Sequence, residues 1–118
     1  MERFRTLIVY QKALGFSTEA RKTTKSFPKN ELFGLISQFR RAADSIVLNI
    51  AEGAGNSSKK EFSRFLDFSI RSGFECIGCL DIAFANAYVA KEKYERSISS
   101  VNEIIAMLYG LKKSLLKY

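Results

Sequence analysis

The sequence contains no histidine and no tryptophan, and its 118 residues include one proline, two cysteines and seven glycines. Histidine is the commonest general base near neutral pH and a frequent zinc ligand. Its absence therefore argues against the usual forms of acid–base catalysis and of zinc binding. The low proline and glycine content argues against a disordered or low-complexity chain. The proportions of hydrophobic residues, 47%, and of charged residues, 26%, are those of an ordinary globular protein. We expect one folded domain over residues 1–118.

The two cysteines, Cys76 and Cys79, are three residues apart in a stretch with helical periodicity. Such a pair can form a redox site or half of a metal site, but no second pair and no histidine complete a metal site. A redox pair normally lies at a helix N-terminus, where the pKa of a thiol is lowered, whereas this pair lies in mid-helix. Buried or interfacial thiols are therefore favoured over redox or metal chemistry, and no cofactor is expected.

Long apolar runs are also missing. The longest uncharged run with apolar content, residues 82–90, is too short to span a bilayer. Near the start of the chain, Gln11 and Lys12 interrupt a short apolar run, so no signal peptide is predicted. We expect a cytoplasmic protein with no membrane partner.

Helical periodicity runs through the whole chain, and no segment alternates as a strand does. The pattern predicts four helices at about 4–26, 31–54, 59–85 and 91–116. Short connections between amphipathic helices predict an all-α fold, an up-down-up-down antiparallel four-helix bundle.

Turn and capping residues suggest where these helices begin and end. Pro28 ends the first helix, and Asn30 is the expected N-cap of the second. Gly53, Gly55 and Asn56 are expected to stop the second helix. Ser58, with Glu61 three residues later, predicts a capping box at the start of the third.

Motifs around the second helix carry a resemblance to a known family. They are FP-x-x-E-x-x-G-L from residue 27, S-Q-x-R-R-A from residue 37, S-I-x-x-N-I-A-E-G from residue 45 and K-E-F from residue 60. Together they resemble the signature of the four-helix bundle proteins encoded in 23S rRNA intervening sequences. The third helix departs from the pattern at Arg71, where many relatives have glycine, while Ser72 and Glu75 match.

The resemblance implies a four-helix bundle that commonly assembles as a homopentamer. It also relates the chain to accessory variability determinant proteins of retroelements, which act beside reverse transcriptases and bind nucleic acid through basic surfaces.

One polar stripe follows the second helix at steps of three and four residues. It combines small and amide side chains with one positive and one negative residue. This mixture favours a subunit or helix interface, and the alternatives are a solvated face or a ligand site. The stripe consists of Gly34, Gln38, Arg41, Ser45, Asn49 and Glu52.

On the third helix, Phe68, Cys79 and Ile82 are expected to form an apolar line away from the core. Such a line indicates a second buried surface, and hence an oligomer. The alternative is that the three residues are exposed individually and have no common role.

Basic residues outnumber acidic ones by 19 to 12, which gives a net charge of +7 and favours acidic partners. The predicted topology brings several of them to one end of the bundle, which suits phosphate backbones. The alternative is that lysines near a helix C-terminus only complement the helix dipole. We call this set the basic end; it comprises Arg3, Arg5, Lys59, Lys60, Arg64, Lys112 and Lys113, with Lys117 beside them.

The sequence therefore predicts a non-enzymatic oligomer that binds RNA or DNA non-specifically. Glu52 has no partner suited to acid–base catalysis, and no phosphate-binding loop motif is present. The alternative is a protein-interaction scaffold or accessory subunit whose partner is a protein such as a polymerase.

Overall fold

The computed structural model describes residues 3–56 and 58–116, and within these ranges the chain is helical with no strand. Its four long helices are α1 (Ile8–Thr23), α2 (Ser37–Ala54), α3 (Lys59–Ala85) and α4 (Lys91–Leu116). Each packs on the next along the chain, and α1 also packs on α4. The predicted all-α four-helix bundle is confirmed.

The core follows from the helical period of the sequence, because each helix buries one face against the others. The largest fully buried apolar side chains include Phe39, Ile46, Leu66, Leu80 and Leu108. One buried polar group connects two helices: the Ser69 hydroxyl donates to the Ile46 carbonyl at 2.9 Å. In the described ranges, no helix combines the length and apolar character needed to cross a membrane.

The expected helix at 4–26 is interrupted at both ends. A 3₁₀ turn at Arg3–Thr6 precedes α1, and Leu7 between them has an extended backbone. After α1 the chain tightens into a second 3₁₀ turn, Thr24–Ser26. Phe27 is then extended because proline follows it.

The start of the second helix differs from the expectation. A 3₁₀ turn at Lys29–Glu31 leads into a π-helical turn at Leu32–Ile36, and the chain kinks at Gly34. The Glu31 carboxylate accepts a hydrogen bond from the Leu35 backbone N–H at 3.2 Å. Glu31 therefore caps this helix, and the prediction that Asn30 does so is wrong, since the kink places the first helical amides beside the longer side chain.

α2 ends at Ala54 with Gly55 as its C-cap, as expected, but Gly53 lies inside the helix and does not stop it. Its absent side chain instead allows α3 to approach, since a Cβ on Gly53 would lie 2.7 Å from the Phe65 Cβ. Gly73 serves α4 in the same way, with the Ile105 Cγ1 atom 2.7 Å from the position of such a Cβ.

The start of α3 matches its predicted cap, because the Ser58 hydroxyl accepts from the Glu61 N–H at 3.2 Å. At the opposite end of the bundle, the α3–α4 connection turns through Ala87, whose φ of 60° is left-handed. The following residue, Tyr88, accepts from the Ser26 hydroxyl through its carbonyl at 2.7 Å. Its phenol donates to the Glu31 carboxylate at 3.0 Å, so the two connections at this end are bound together.

Candidate nucleic-acid interface

The basic end is built where α3 begins and α4 ends. Lys59 and Lys60 lie in the first turn of α3, and they line a shallow cleft of about 330 Å³ with Leu115 and Leu116 of α4. Both lysines are exposed. The start of α3 and the end of α4 therefore lie side by side, as the antiparallel topology requires.

Two further cations of the basic end form ion pairs. The Lys112 ammonium lies 2.7 Å from the Asp67 carboxylate, which ties α4 to α3. The Arg64 guanidinium binds the Glu61 carboxylate at 2.8 Å, and this hydrogen bond lowers the pKa of Glu61. Both pairs are exposed enough to water that screening keeps them weak.

The remaining described members of the basic end are exposed. Arg3 and Arg5 belong to the 3₁₀ turn before α1, and that turn contacts α2. Phe4 anchors the turn by an edge-to-face contact with Tyr10, with ring centroids 5.1 Å apart. Lys113 lies in the last turn of α4, and Lys117 lies outside the described residues.

An arginine–phenylalanine cluster adjoins the basic end, and the sequence reasoning missed it. The Arg64 guanidinium carbon lies 5.1 Å from the Phe65 ring centroid and 5.2 Å from that of Phe68. Arg71 covers Phe68 at 5.7 Å, and the two rings meet edge to face at 5.6 Å. The signal available in the sequence was the spacing of Arg64, Phe68 and Arg71 at steps of four and three.

The predicted apolar line on α3 is wrong in its central member. Cys79 is only 2% exposed and belongs to the core of the chain, whereas Ile82 is 52% exposed. Phe68 is half-buried and covered by arginines. The error arises because α3 is contacted by both α2 and α4, so a wider arc of its surface is buried than one helix face provides.

The polar stripe borders the seam between α2 and α3. Its exposed members are Gly34, Gln38, Arg41 and Glu52, while Ser45 and Asn49 are half-buried. Ser72 of α3 donates to the Ser45 hydroxyl at 2.8 Å, and the Asn49 amide donates to that same hydroxyl at 2.9 Å.

Towards Gly34 the stripe opens into a second cleft. The Gln38 amide donates to the Glu75 carboxylate at 3.3 Å across this cleft, which has a volume of about 520 Å³. Arg41 lines the same cleft, and so does Phe33, whose side chain is 93% exposed. Polar contacts within the chain thus account for Gln38, Ser45 and Asn49, whereas Arg41 and Phe33 face outwards.

The two thiols are free and buried. Burial raises the pKa of Cys79 to about 11, and it raises the pKa of Cys76 further. A raised pKa suppresses the thiolate, which is the nucleophilic and metal-binding form. Within the described ranges, no three histidine, cysteine or carboxylate side chains cluster as metal ligands. These surroundings are those of structural core cysteines.

The Asp44 carboxylate has structural partners. Arg21 binds Asp44 through two hydrogen bonds of 2.8 Å, and the Ser17 hydroxyl adds a third at 2.6 Å. The hydrogen bonds from Arg21 are the main cause of a lowered pKa for Asp44. A carboxylate held ionised in this way joins α1 to α2 and is poorly suited to proton transfer at neutral pH.

Comparison with known proteins agrees with this architecture. A crystal structure of a protein with unknown function, from the S23 ribosomal protein family of Bacteroides thetaiotaomicron VPI-5482, superposes with a TM-score of 0.83. That likeness covers 90% of this chain and 99% of the other at 24% identity, so it shows the shared fold. No curated protein sequence matches. Residues 5–110 match the family model described as 23S rRNA-intervening sequence protein, and the chain belongs to that family.

Proposed function

We propose that this protein is a non-enzymatic, oligomeric bundle that binds RNA or DNA non-specifically through its basic end. The observation that carries the proposal is the juxtaposition of Lys59 and Lys60 with the end of α4 around one cleft. Lys112 lies on the adjoining α3–α4 contact. The excess of basic over acidic residues, 19 against 12, gives the whole chain the sign that attracts phosphates.

The position of the lysines favours a phosphate ligand over a purely structural role. Positive charge at a helix N-terminus is unfavourable because the helix dipole already places partial positive charge there. Lys59 and Lys60 occupy the first turn of α3 nonetheless. A phosphate bound there would be stabilised by both ammonium groups and by the dipole. Such contacts go to the backbone of a nucleic acid and carry no sequence information.

Oligomerisation is the second part of the proposal. On the α2 side of the bundle, Leu48 is 61% exposed and Phe33 projects beside the Arg41 cleft. Exposed apolar residues around a polar stripe are typical of a surface that another subunit covers. Similarity to intervening-sequence proteins favours a pentamer, in which the basic end would be repeated around a ring. In the cell we expect the assembly in the cytoplasm, where nucleic acid is available.

Charge reversal at the basic end tests the nucleic-acid part. Lys59→Glu with Lys60→Glu should weaken binding to mixed RNA and DNA oligonucleotides by about tenfold or more at low salt. The slope of log affinity against log salt should flatten by about 0.7 to 0.9 for each phosphate that the variant no longer binds. Fluorescence anisotropy over a salt series measures both quantities.

A matched control uses exposed lysines at the opposite end of the bundle. Lys25→Glu with Lys29→Glu changes the net charge by the same amount, and both positions lie around the α1–α2 connection. If the two double variants lose equal affinity, binding depends on net charge alone and the basic end is not the site. Unchanged affinity and slope in the first variant would also exclude Lys59 and Lys60.

A protein-interaction scaffold is the second candidate function, with a polymerase or similar protein as partner. The cleft beside the polar stripe favours it, because Phe33 and Arg41 are side chains of the types enriched at protein interfaces. Phe33→Ser and Arg41→Ala should then change subunit number or partner capture, which light scattering measures for the assembly. Wild-type mass in both variants would remove this cleft as a subunit interface.

A further inference from the structure

We propose that the outer face of α3 next to the basic end binds single-stranded nucleic acid by stacking unpaired bases on the guanidinium groups of Arg64 and Arg71, which flank the Phe68 ring. The inference rests on the nucleic-acid binding proposed above and adds to it the kind of strand that is bound. It assigns a function to Phe68 and Arg71 of the arginine–phenylalanine cluster, which do not belong to the basic end.

The geometry of the helix aligns these side chains with the basic end. Lys60, Arg64, Phe68 and Arg71 follow one another at steps of four, four and three residues, so they share one face of α3. At a rise of about 1.5 Å per residue, the line is roughly 16 Å long. A strand whose phosphates contact the first turn of α3 can therefore extend along the helix past the aromatic ring.

Three planar groups meet on this face. The guanidinium carbons of Arg64 and Arg71 lie 5.2 and 5.7 Å from the Phe68 ring centroid. The Arg64 side chain is 53% exposed and Arg71 is exposed, so each guanidinium has a side open to water. Unpaired bases of any type stack on aromatic rings and on guanidinium planes.

Charge favours a nucleic-acid strand over a protein at this face. Lys60, Arg64 and Arg71 supply three cations, while Glu61 is bound to Arg64 and Glu75, one turn beyond Arg71, accepts from Gln38. Stacking requires bases whose faces are free, and a duplex hides them within its stack. The cluster therefore discriminates for single strands, whereas the lysines of the basic end contact phosphates of either form.

An abasic strand separates stacking from phosphate contacts. Three probes are compared: a short fluorescent single strand of mixed sequence, a strand of the same length in which every nucleotide is abasic, and the duplex of the first strand. Wild-type protein should bind the ordinary strand at least about fivefold more tightly than the abasic strand in an anisotropy titration. The two strands should share the same salt slope, since both carry the same phosphates.

Two variants should remove this preference without removing charge. Arg71→Lys keeps the cation but loses the planar group, and Phe68→Leu keeps an apolar side chain but loses the ring. Each should lower affinity for the ordinary strand severalfold and leave affinity for the abasic strand unchanged. Tyr109→Leu, which alters an exposed aromatic residue of α4, is the matched control and should bind as wild type does. Circular dichroism and thermal melting check folding, and Arg71 is exposed enough for its variant to fold normally.

The outcomes distinguish this inference from the proposed function. Salt-dependent binding with equal affinity for the ordinary and abasic strands would overturn stacking and leave the basic end standing. Binding of neither strand by wild-type protein would overturn both. If Phe68→Leu changes the mass of the assembly while Arg71→Lys binds normally, the face is a subunit interface and the inference is wrong.

Discussion

Gly53 of α2 lies so close to Phe65 of α3 that a Cβ on the glycine would stand 2.7 Å from the Phe65 Cβ and 3.0 Å from the Phe62 Cδ1 atom. The Phe62 carbonyl oxygen, which belongs to the α3 backbone, would lie 3.3 Å away. Gly53→Ala should therefore force the two helices apart and lower the free energy of unfolding by about 1–3 kcal/mol. Urea unfolding of the purified variant measures the change.

Gly78 provides the matched control for this prediction. It also lies within a helix, but a Cβ at this position would have no atom outside its own helical turn within 4 Å. Gly78→Ala should stabilise the protein by about 0.5–1 kcal/mol, because alanine restricts the unfolded chain more than glycine does. Equal effects of the two substitutions would show that the close approach at Gly53 is unimportant.

The Asp44 ion pair predicts an acid-sensitive contribution to stability. Hydrogen bonds from Arg21 lower the pKa of Asp44, so its stabilising effect is present above the unfolded value of about 3.9 and is lost as pH falls through the lowered value. Asp44→Asn should cost about 1 kcal/mol at pH 7, and its difference from wild type should shrink below about pH 4. Urea unfolding at several pH values measures this.

Glu95→Gln is the control for Asp44, since its nearest cation, the Lys91 ammonium, is 3.9 Å away on the same exposed helix face. Its effect should stay within about 0.5 kcal/mol at every pH. A pH-independent loss in the Asp44 variant would contradict the role of the ionised carboxylate.

Glu31 should stabilise both connections at one end of the bundle, because its two oxygens accept from the Leu35 N–H and from the Tyr88 phenol. Glu31→Ala should lower the free energy of unfolding by about 2 kcal/mol, and Tyr88→Phe, which removes one hydrogen bond, by about 1 kcal/mol. Thermal melting ranks the two variants. The prediction fails if Tyr88→Phe costs more than Glu31→Ala.

Both thiols should resist modification in the folded protein, because burial raises their pKa values and covers the sulfur atoms. At pH 8 iodoacetamide should alkylate Cys76 and Cys79 at least about a hundredfold more slowly in native buffer than in denaturant. Mass spectrometry over a time course gives both rates. Rapid native alkylation of both cysteines would contradict the burial of the two sulfur atoms.

The same raised pKa values imply a loss of stability at high pH. When the pKa of a thiol is higher in the folded than in the unfolded chain, its contribution to the free energy of unfolding is complete below the unfolded pKa of about 8.5. Above that pH the unfolded chain loses the proton more readily, and the contribution decreases. Stability should therefore decline as pH rises above about 8.5.

By itself, the sequence determined the helical class and the identity of much of the core. The reason is that these depend on the period of apolar residues along one helix. The Ser58 cap could be predicted for the same local reason, because donor and acceptor are three residues apart. The cations of the basic end were likewise visible in the sequence, since a predicted antiparallel topology is enough to bring them to one end.

Only the tertiary structure decided features that depend on the element lying opposite. Glycine is typical of a helix C-terminus, and only the position of Phe65 shows that Gly53 instead permits a close contact between helices. Cys79 is buried because two neighbouring helices cover α3. Glu31 is the cap in place of Asn30, and the Tyr88 phenol of the α3–α4 connection donates to its carboxylate. Periodicity along one helix cannot predict these features, because their energies come from atoms that are distant in the chain and adjacent in space.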